Sequence, residues 1–111
     1  MPDWSDFEDE ELVDLDGEMR AEFRGRAVPS PVHVTRDPQQ LSDERRYDVP
    51  VTVIACEFPS EKLKEWMAAG HLEELVRIRQ VDVVDLPTGH WPQFTRPQEL
   101  GRAILDAVGP A

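Results

Sequence analysis

The chain has 111 residues, a length that suffices for one small domain and not for two. Its net charge of −11 gives a surface that repels phosphate backbones, so a nucleic-acid partner is not expected. The single cysteine, Cys56, excludes an internal disulfide framework and is typical of the reducing cytoplasm. The sequence shows no secretory signal and no apolar run that could span a membrane. We therefore expect a soluble, cytoplasmic chain without a membrane partner.

The acidic charge is concentrated in the first 22 residues. This part holds ten acidic residues against Arg20 alone, a net charge of −9, whereas the other 89 residues hold 13 acidic and 11 basic residues. An acidic end on a balanced body indicates two parts with different roles. Helical spacing in the acidic end predicts one amphipathic helix with four apolar residues on one face: Leu12, Leu15, Met19 and Phe23.

An irregular connection rich in proline is predicted over residues 29–46, with a short helical turn near Asp37-Pro38. The acidic helix and this connection form the first predicted part, residues 1–46. The second part, residues 47–111, begins at Tyr47, where the sequence becomes β-branched and apolar.

The pattern of the second part predicts strand, helix, strand, helix, the order typical of a parallel α/β sheet. A first strand over 49–56 is apolar on both parities, as in a parallel strand that is covered on both faces. A helix follows from Pro59 to Gly70, then a short helical pattern at 72–76, a second strand over 81–86, and a last helix from 97 to 108. Two strands leave two unpaired edges, so we expect poor stability in isolation and edges that invite self-association.

One histidine lies where a parallel sheet collects ligands and catalytic groups, beyond the carboxyl end of the second strand. On its own, His90 reads as a polar loop residue. The segment Gly89-His90-Trp91-Pro92, followed by Pro97 and the last helix, resembles the catalytic-histidine segment of the α/β-hydrolase family. Residues 47–54 resemble the core strand that precedes the catalytic acid in this family. The resemblance covers 47–111, and 1–46 loosely resembles the end of a cap region.

The resemblance implies a mechanism that uses a serine, an acid and a histidine. His90 matches the general base. Glu57 is the best-placed acid, and its alternative is a carboxylate at the approach to a helix without a catalytic role. Asp82 and Asp85, within the second strand, are expected to be structural.

The family's nucleophile motif, Gly-x-Ser-x-Gly, does not occur in these 111 residues. The resemblance therefore implies that the nucleophile, the oxyanion donors and the early strands lie before Met1, and that the chain alone is inactive. Once completed, it would act on a small-molecule substrate. An ester is the default, and related enzymes also cleave epoxide, carbon–halogen, amide and carbon–carbon bonds.

Other patterns are weaker. The cysteine and the three histidines lack metal-ligand spacing, and no glycine-rich phosphate loop occurs, so neither a metal nor another cofactor is expected. Cys56 reads as an inert buried side chain. Trp4, Phe7 and Trp91 could line an acyl pocket, or Trp4 could be disordered near the chain end. The alternative function is a non-catalytic acidic module that binds a basic protein surface through residues 1–26.

Overall fold

The computed structural model describes residues 3–110 and has a mixed α/β architecture with one two-stranded parallel sheet in this part of the chain. The elements in chain order are α1 (Asp9–Leu12), α2 (Gly17–Arg26), β1 (Val51–Ala55), α3 (Ser60–Ala68), α4 (Glu73–Arg77), β2 (Val81–Asp85), α5 (Pro92–Thr95) and α6 (Pro97–Val108). Short 3-10 turns occupy Trp4–Asp6, Val32–Val34 and Glu44–Asp48. The predicted α/β class is confirmed at this level. Among the described residues, no helix combines the length and apolar character needed to cross a membrane.

The two strands pair in parallel, from Val51 opposite Val81 to Ala55 opposite Asp85. Both are shorter than the predicted ranges 49–56 and 81–86. Pro50 accounts for the later start of β1, because proline lacks the N–H that a ladder requires. The expectation that both faces are covered is wrong for β2, whose Asp82, Val84 and Asp85 are exposed.

The acidic end forms two helices instead of the predicted single one. The carboxylate of Asp16 accepts the Met19 N–H at 2.9 Å and so caps the start of α2. The Arg20 guanidinium donates to the carbonyl of Leu12, the last residue of α1, at 3.3 Å and to the carbonyl of Leu15, within the break, at 2.7 Å. These bonds satisfy polar groups that a helix break exposes, so the chain can bend while both leucines stay buried.

The connection predicted over residues 29–46 is irregular, as expected, apart from the short 3-10 turns, and every residue from 27 to 43 is exposed. The helical turn expected near Asp37-Pro38 is wrong, because the turn lies at Val32–Val34. The Asp37 carboxylate instead lies 3.0 Å from Nδ1 of His33.

The remaining helices agree with the sequence pattern, apart from α5, which was not predicted. Leu63 of α3 is buried, and Gly70, with φ of 81°, follows the end of that helix. Gly109, with φ of 77°, caps α6. Both glycines adopt the left-handed backbone that ends helices.

A polar contact joins the 3-10 turn before β1 to α4. The hydroxyl of Tyr47 lies 2.9 Å from both carboxylate oxygens of Glu74, and guanidinium groups of Arg46 and Arg77 each lie 4.2 Å from the Tyr47 ring centre. The hydrogen bond from Tyr47 lowers the pKa of the Glu74 carboxyl, and Arg46 lowers it further. Burial raises the pKa of the Tyr47 hydroxyl, as does its bond to Glu74.

The buried apolar core is small: among the described residues it consists of Leu12, Leu15, Tyr47, Ala55 and Leu63. On α6, by contrast, Leu105 and Val108 are 70% and 78% exposed. The radius of gyration is 16.5 Å, against about 13 Å for a compact domain of this length. The two strands and α6 therefore leave much apolar surface uncovered.

Candidate functional site

The parallel ladder continues beyond the assigned strands and brings two loops together. The Leu86 N–H donates to the Ala55 carbonyl at 2.8 Å, and the Thr88 N–H donates to the Cys56 carbonyl at 3.2 Å. Since parallel strands end at the same edge of a sheet, the residues that follow Cys56 and Thr88 become neighbours.

These neighbours are the two residues singled out in the sequence. Nδ1 of His90 lies 2.5 Å from Oε1 of Glu57, although 33 residues separate them. A carboxylate can only accept, so Nδ1 donates in this bond. The side chain of His90 is 49% exposed and that of Glu57 is 27% exposed. The structure thus brings the predicted base and the predicted acid into direct contact.

The contact orients the ring. Within residues 3–110, each hydrogen bond and ion pair recorded for the His90 ring uses Nδ1. A neutral ring that donates through Nδ1 keeps Nε2 as an acceptor, the atom a general base needs. The Trp91 ring packs edge-on at 4.8 Å between centroids and restricts the imidazole from another side.

The acidic N-terminal segment, residues 3–22, holds the backbone of the histidine loop, residues 89–95. One carboxylate oxygen of Asp14 accepts the Gly89 N–H at 2.9 Å, and the other accepts the Thr95 hydroxyl at 2.7 Å. The carbonyl of Glu11 accepts the His90 N–H at 2.9 Å. Both ends of the loop that carries His90 are therefore attached to one short stretch of chain.

This attachment requires glycine at position 89. A Cβ atom there would lie 2.5 Å from Oδ1 of Asp14 and 2.5 Å from the carbonyl oxygen of Glu11. Both distances are far below van der Waals contact, so a side chain at Gly89 would push the loop away from the acidic segment.

Aromatic rings reinforce the same junction. Five rings pack at centroid distances of 4.9–5.9 Å, in a cluster that comprises Trp4, Phe7, Phe23, Trp91 and Phe94. Of the two alternatives left open for Trp4, the structure has the ordered one, because its ring contacts three others. Among the described residues, Trp4, Phe7 and Trp91 pack against one another, whereas the sequence suggested that they line a pocket.

The aspartates of β2 have separate positions. The carboxylate of Asp85 accepts the backbone N–H and the hydroxyl of Ser60, each at 2.8 Å, and so caps the start of α3. Asp82 is exposed on the sheet. For Asp85 this geometry matches the structural role expected from the sequence.

A second carboxylate stands near the histidine. Oε1 of Glu11 lies 3.7 Å from Nδ1 of His90, and single ligand atoms of Glu11, Glu57 and His90 all lie within 4.8 Å of one another. These are ligand types that zinc accepts. Two ligands about 2.1 Å from one metal ion stay roughly 3 Å or more apart, and the 2.5 Å contact of His90 with Glu57 is shorter than that. His90 and Glu57 therefore form a hydrogen-bonded pair, and the Glu11 carboxylate lies beside it.

Two clefts flank Glu57, with volumes of about 280 and 330 Å³. Their linings share Cys56, Glu57 and Pro87, and carry four further acidic residues against one basic residue: Glu10, Asp14, Glu61 and Asp85, and Arg96. The space beside Glu57 is therefore acidic, and His90 is in the lining of neither cleft.

No protein-family model, curated protein or solved structure matches this chain. Sequence reasoning located His90 and Glu57 but missed Asp14, Glu11 and Thr95. Asp14 lies 75 residues from Gly89, and nothing in its local sequence marks it as a loop anchor. The glycine before His90 was the available signal, because it indicates that backbone approaches closely there.

Proposed function

We propose that this chain supplies the base and the acid of a serine hydrolase of the α/β-hydrolase type, with the nucleophile contributed by a segment outside these 111 residues. The observation that carries the proposal is the 2.5 Å bond between Nδ1 of His90 and Oε1 of Glu57. A hydrolytic triad needs this bond, because it leaves the opposite ring nitrogen free to accept a proton.

Each residue has a defined part in the proposed reaction. Nε2 of His90 takes the proton of the attacking serine hydroxyl and later returns it to the leaving group. Glu57 keeps the proton on Nδ1 and stabilises the imidazolium that forms during each transfer. The serine, the oxyanion donors and the remaining strands belong to the missing partner segment in this proposal.

The open architecture supports the same proposal. A sheet of two strands has two unpaired edges, and natural proteins normally pair or cover such edges. The uncovered apolar residues of α6 also fit a helix that packs against further sheet.

The clefts beside Glu57 bear on the substrate. Their acidic lining disfavours anionic substrates, because like charges repel. We therefore infer a neutral or cationic ester, with a related neutral bond as the alternative.

The proposal is tested by restoring the missing segment, either by fusion of the upstream coding sequence or in a full-length relative, and by measuring kcat on neutral aryl esters. His90→Gln should lower kcat by about 10³-fold or more, as for other triad bases. His33→Gln, on the exposed connection, serves as the matched control and should leave kcat unchanged.

Glu57→Gln should lower kcat less than His90→Gln does, since Glu57 orients the ring without accepting the substrate proton. Glu11 lies close enough to replace it in part, so Glu57→Gln with Glu11→Gln should lose more than Glu57→Gln alone. A folded His90→Gln protein with kcat within a few-fold of wild type would end the hydrolase proposal.

A second candidate is a non-catalytic acidic surface that binds a basic protein. It is favoured by the exposure of eight carboxylate residues in the first 22 residues: Asp3, Asp6, Glu8, Asp9, Glu10, Asp16, Glu18 and Glu22. Binding to a basic protein that weakens steeply with added salt, while the completed protein shows no turnover, would favour this candidate.

A further inference from the structure

We propose that Asp14 is a positioning residue for His90, and that the acidic segment therefore belongs to the functional site. Asp14 would act by fixing the loop from Gly89 to Thr95, and its carboxylate would not touch substrate. This inference rests on the proposed function, in which the contact of His90 with Glu57 is the working part.

The hydrogen bonds of Asp14 define the loop at two points. Its two oxygens bind the N–H of Gly89, next to the histidine, and the hydroxyl of Thr95, in the last residue of α5. A single carboxylate thus fixes the loop on both sides of His90. The Asp14 side chain is partly buried, and its bonds reach across 75 and 81 residues of sequence.

The bonds made by Asp14 control the direction of the imidazole through the backbone. The carbonyl of Glu11, three residues before Asp14, accepts the His90 N–H at 2.9 Å. When Gly89 and His90 are both held at their amide groups, the Cα–Cβ direction of His90 is set, and Nδ1 meets Glu57. Hydrogen bonds to a charged acceptor are the stronger class, so loss of the Asp14 carboxylate should release the loop.

Two control variants separate the hydrogen bonds of Asp14 from the net negative charge of the acidic segment. The acidic segment carries several exposed carboxylates, and Asp9 on α1 is one of them. Asp9→Ala removes the same charge from the same segment and is the matched control. Asp14→Asn keeps the size of the side chain: its oxygen can accept the Gly89 N–H, and its amide can donate to the Thr95 hydroxyl.

The test uses the full 111-residue chain and two NMR readouts at alkaline pH, where the imidazole is neutral. Long-range proton–nitrogen spectra of the histidine rings report which ring nitrogen carries the proton. Amide hydrogen exchange reports opening of the loop at Gly89 and His90. Thermal unfolding of each variant separates an effect on the loop from a general loss of stability.

The wild-type chain should show His90 protonated at Nδ1. Asp14→Ala should give a mixture of the two ring forms, together with amide exchange at Gly89 and His90 faster by about tenfold or more, at temperatures where the variant is still folded. Asp9→Ala should match wild type, and Asp14→Asn should recover most of the wild-type spectrum.

Each outcome has one meaning. If Asp14→Ala lowers the unfolding midpoint but keeps His90 fully protonated at Nδ1, Asp14 is only structural and this inference is wrong while the proposed function stands. If the wild-type chain itself lacks the Nδ1-protonated form, the proposed function fails first. If Asp14→Ala is unfolded, Thr95→Val decides the matter. This variant removes the hydroxyl bond to Asp14, together with the longer 3.4 Å bond to the Trp91 carbonyl, and wild-type spectra and exchange for it would overturn the role of the two-point attachment.

Discussion

The exposed connection and the histidine loop each contain a histidine whose Nδ1 meets a carboxylate. His33 lies 3.0 Å from Asp37, four residues away, and both side chains are more than two-thirds exposed. His90 lies 2.5 Å from Glu57, 33 residues away, on a loop that Asp14 and the Glu11 carbonyl hold in place. The same two chemical groups therefore meet in very different settings.

The comparison shows that a histidine–carboxylate contact is not in itself a functional sign. An exposed pair between residues close in the sequence contributes little to stability. A pair made by the ends of two parallel strands, with its loop fixed by separate hydrogen bonds, is preorganised, and catalysis depends on preorganisation.

The largest expected effect on stability comes from replacing a buried leucine near the histidine loop, compared with an exposed leucine in the connection. Leu15, on the segment that holds the histidine loop, is 2% exposed, whereas Leu41 in the connection is 52% exposed. Leu15→Ala should cost about 2–4 kcal/mol, and Leu41→Ala should stay within about 0.5 kcal/mol. Because the core is small, Leu15→Ala should leave most molecules unfolded. Far-UV circular dichroism during urea titration measures both, and equal midpoints for the two variants would contradict the packing described.

A smaller effect is expected for polar contacts, where the pH dependence of stability should distinguish a long-range contact from a local one. The pKa of the Glu74 carboxyl is lowered by its bond from Tyr47, 27 residues away, and the pKa of the Asp43 carboxyl is lowered by Arg45, two residues away. A carboxyl group whose pKa is lowered by folding stabilises the folded state at pH values above its ordinary pKa, which is 4.5 for Glu74. This stabilisation is lost as the pH falls through the lowered pKa.

Glu74→Gln should therefore lower the thermal midpoint near neutral pH, and its difference from wild type should shrink towards about pH 3. Asp43→Asn should have the smaller effect, because a pair two residues apart can persist in the unfolded chain. Thermal scans of both variants over this pH range provide the measurement. A larger loss for Asp43→Asn would show that the long-range contact is not the stabilising one.

The sequence predicted those features that depend on local patterns. The strands, α3 and α6 were recognisable from β-branched runs, apolar spacing and terminal glycines, and the ends of the two strands led to His90 and Glu57. The helix break at 13–16 was missed, because Leu12 and Leu15 keep the same spacing whether or not the helix continues. The attachment of Asp14 to Gly89 was missed because a contact across 75 residues leaves no local trace.

The central claim, that the His90–Glu57 contact fixes the ring for proton transfer, is tested most directly by the ring nitrogen spectra of His90 and His33 in one sample of the wild-type chain, with Glu57→Gln for comparison. We expect His90 in a single form protonated at Nδ1, His33 as a mixture of forms, and a shift of His90 alone to a mixture in Glu57→Gln. Spectra in which His90 and His33 are alike, or in which Glu57→Gln leaves His90 unchanged, would contradict the account.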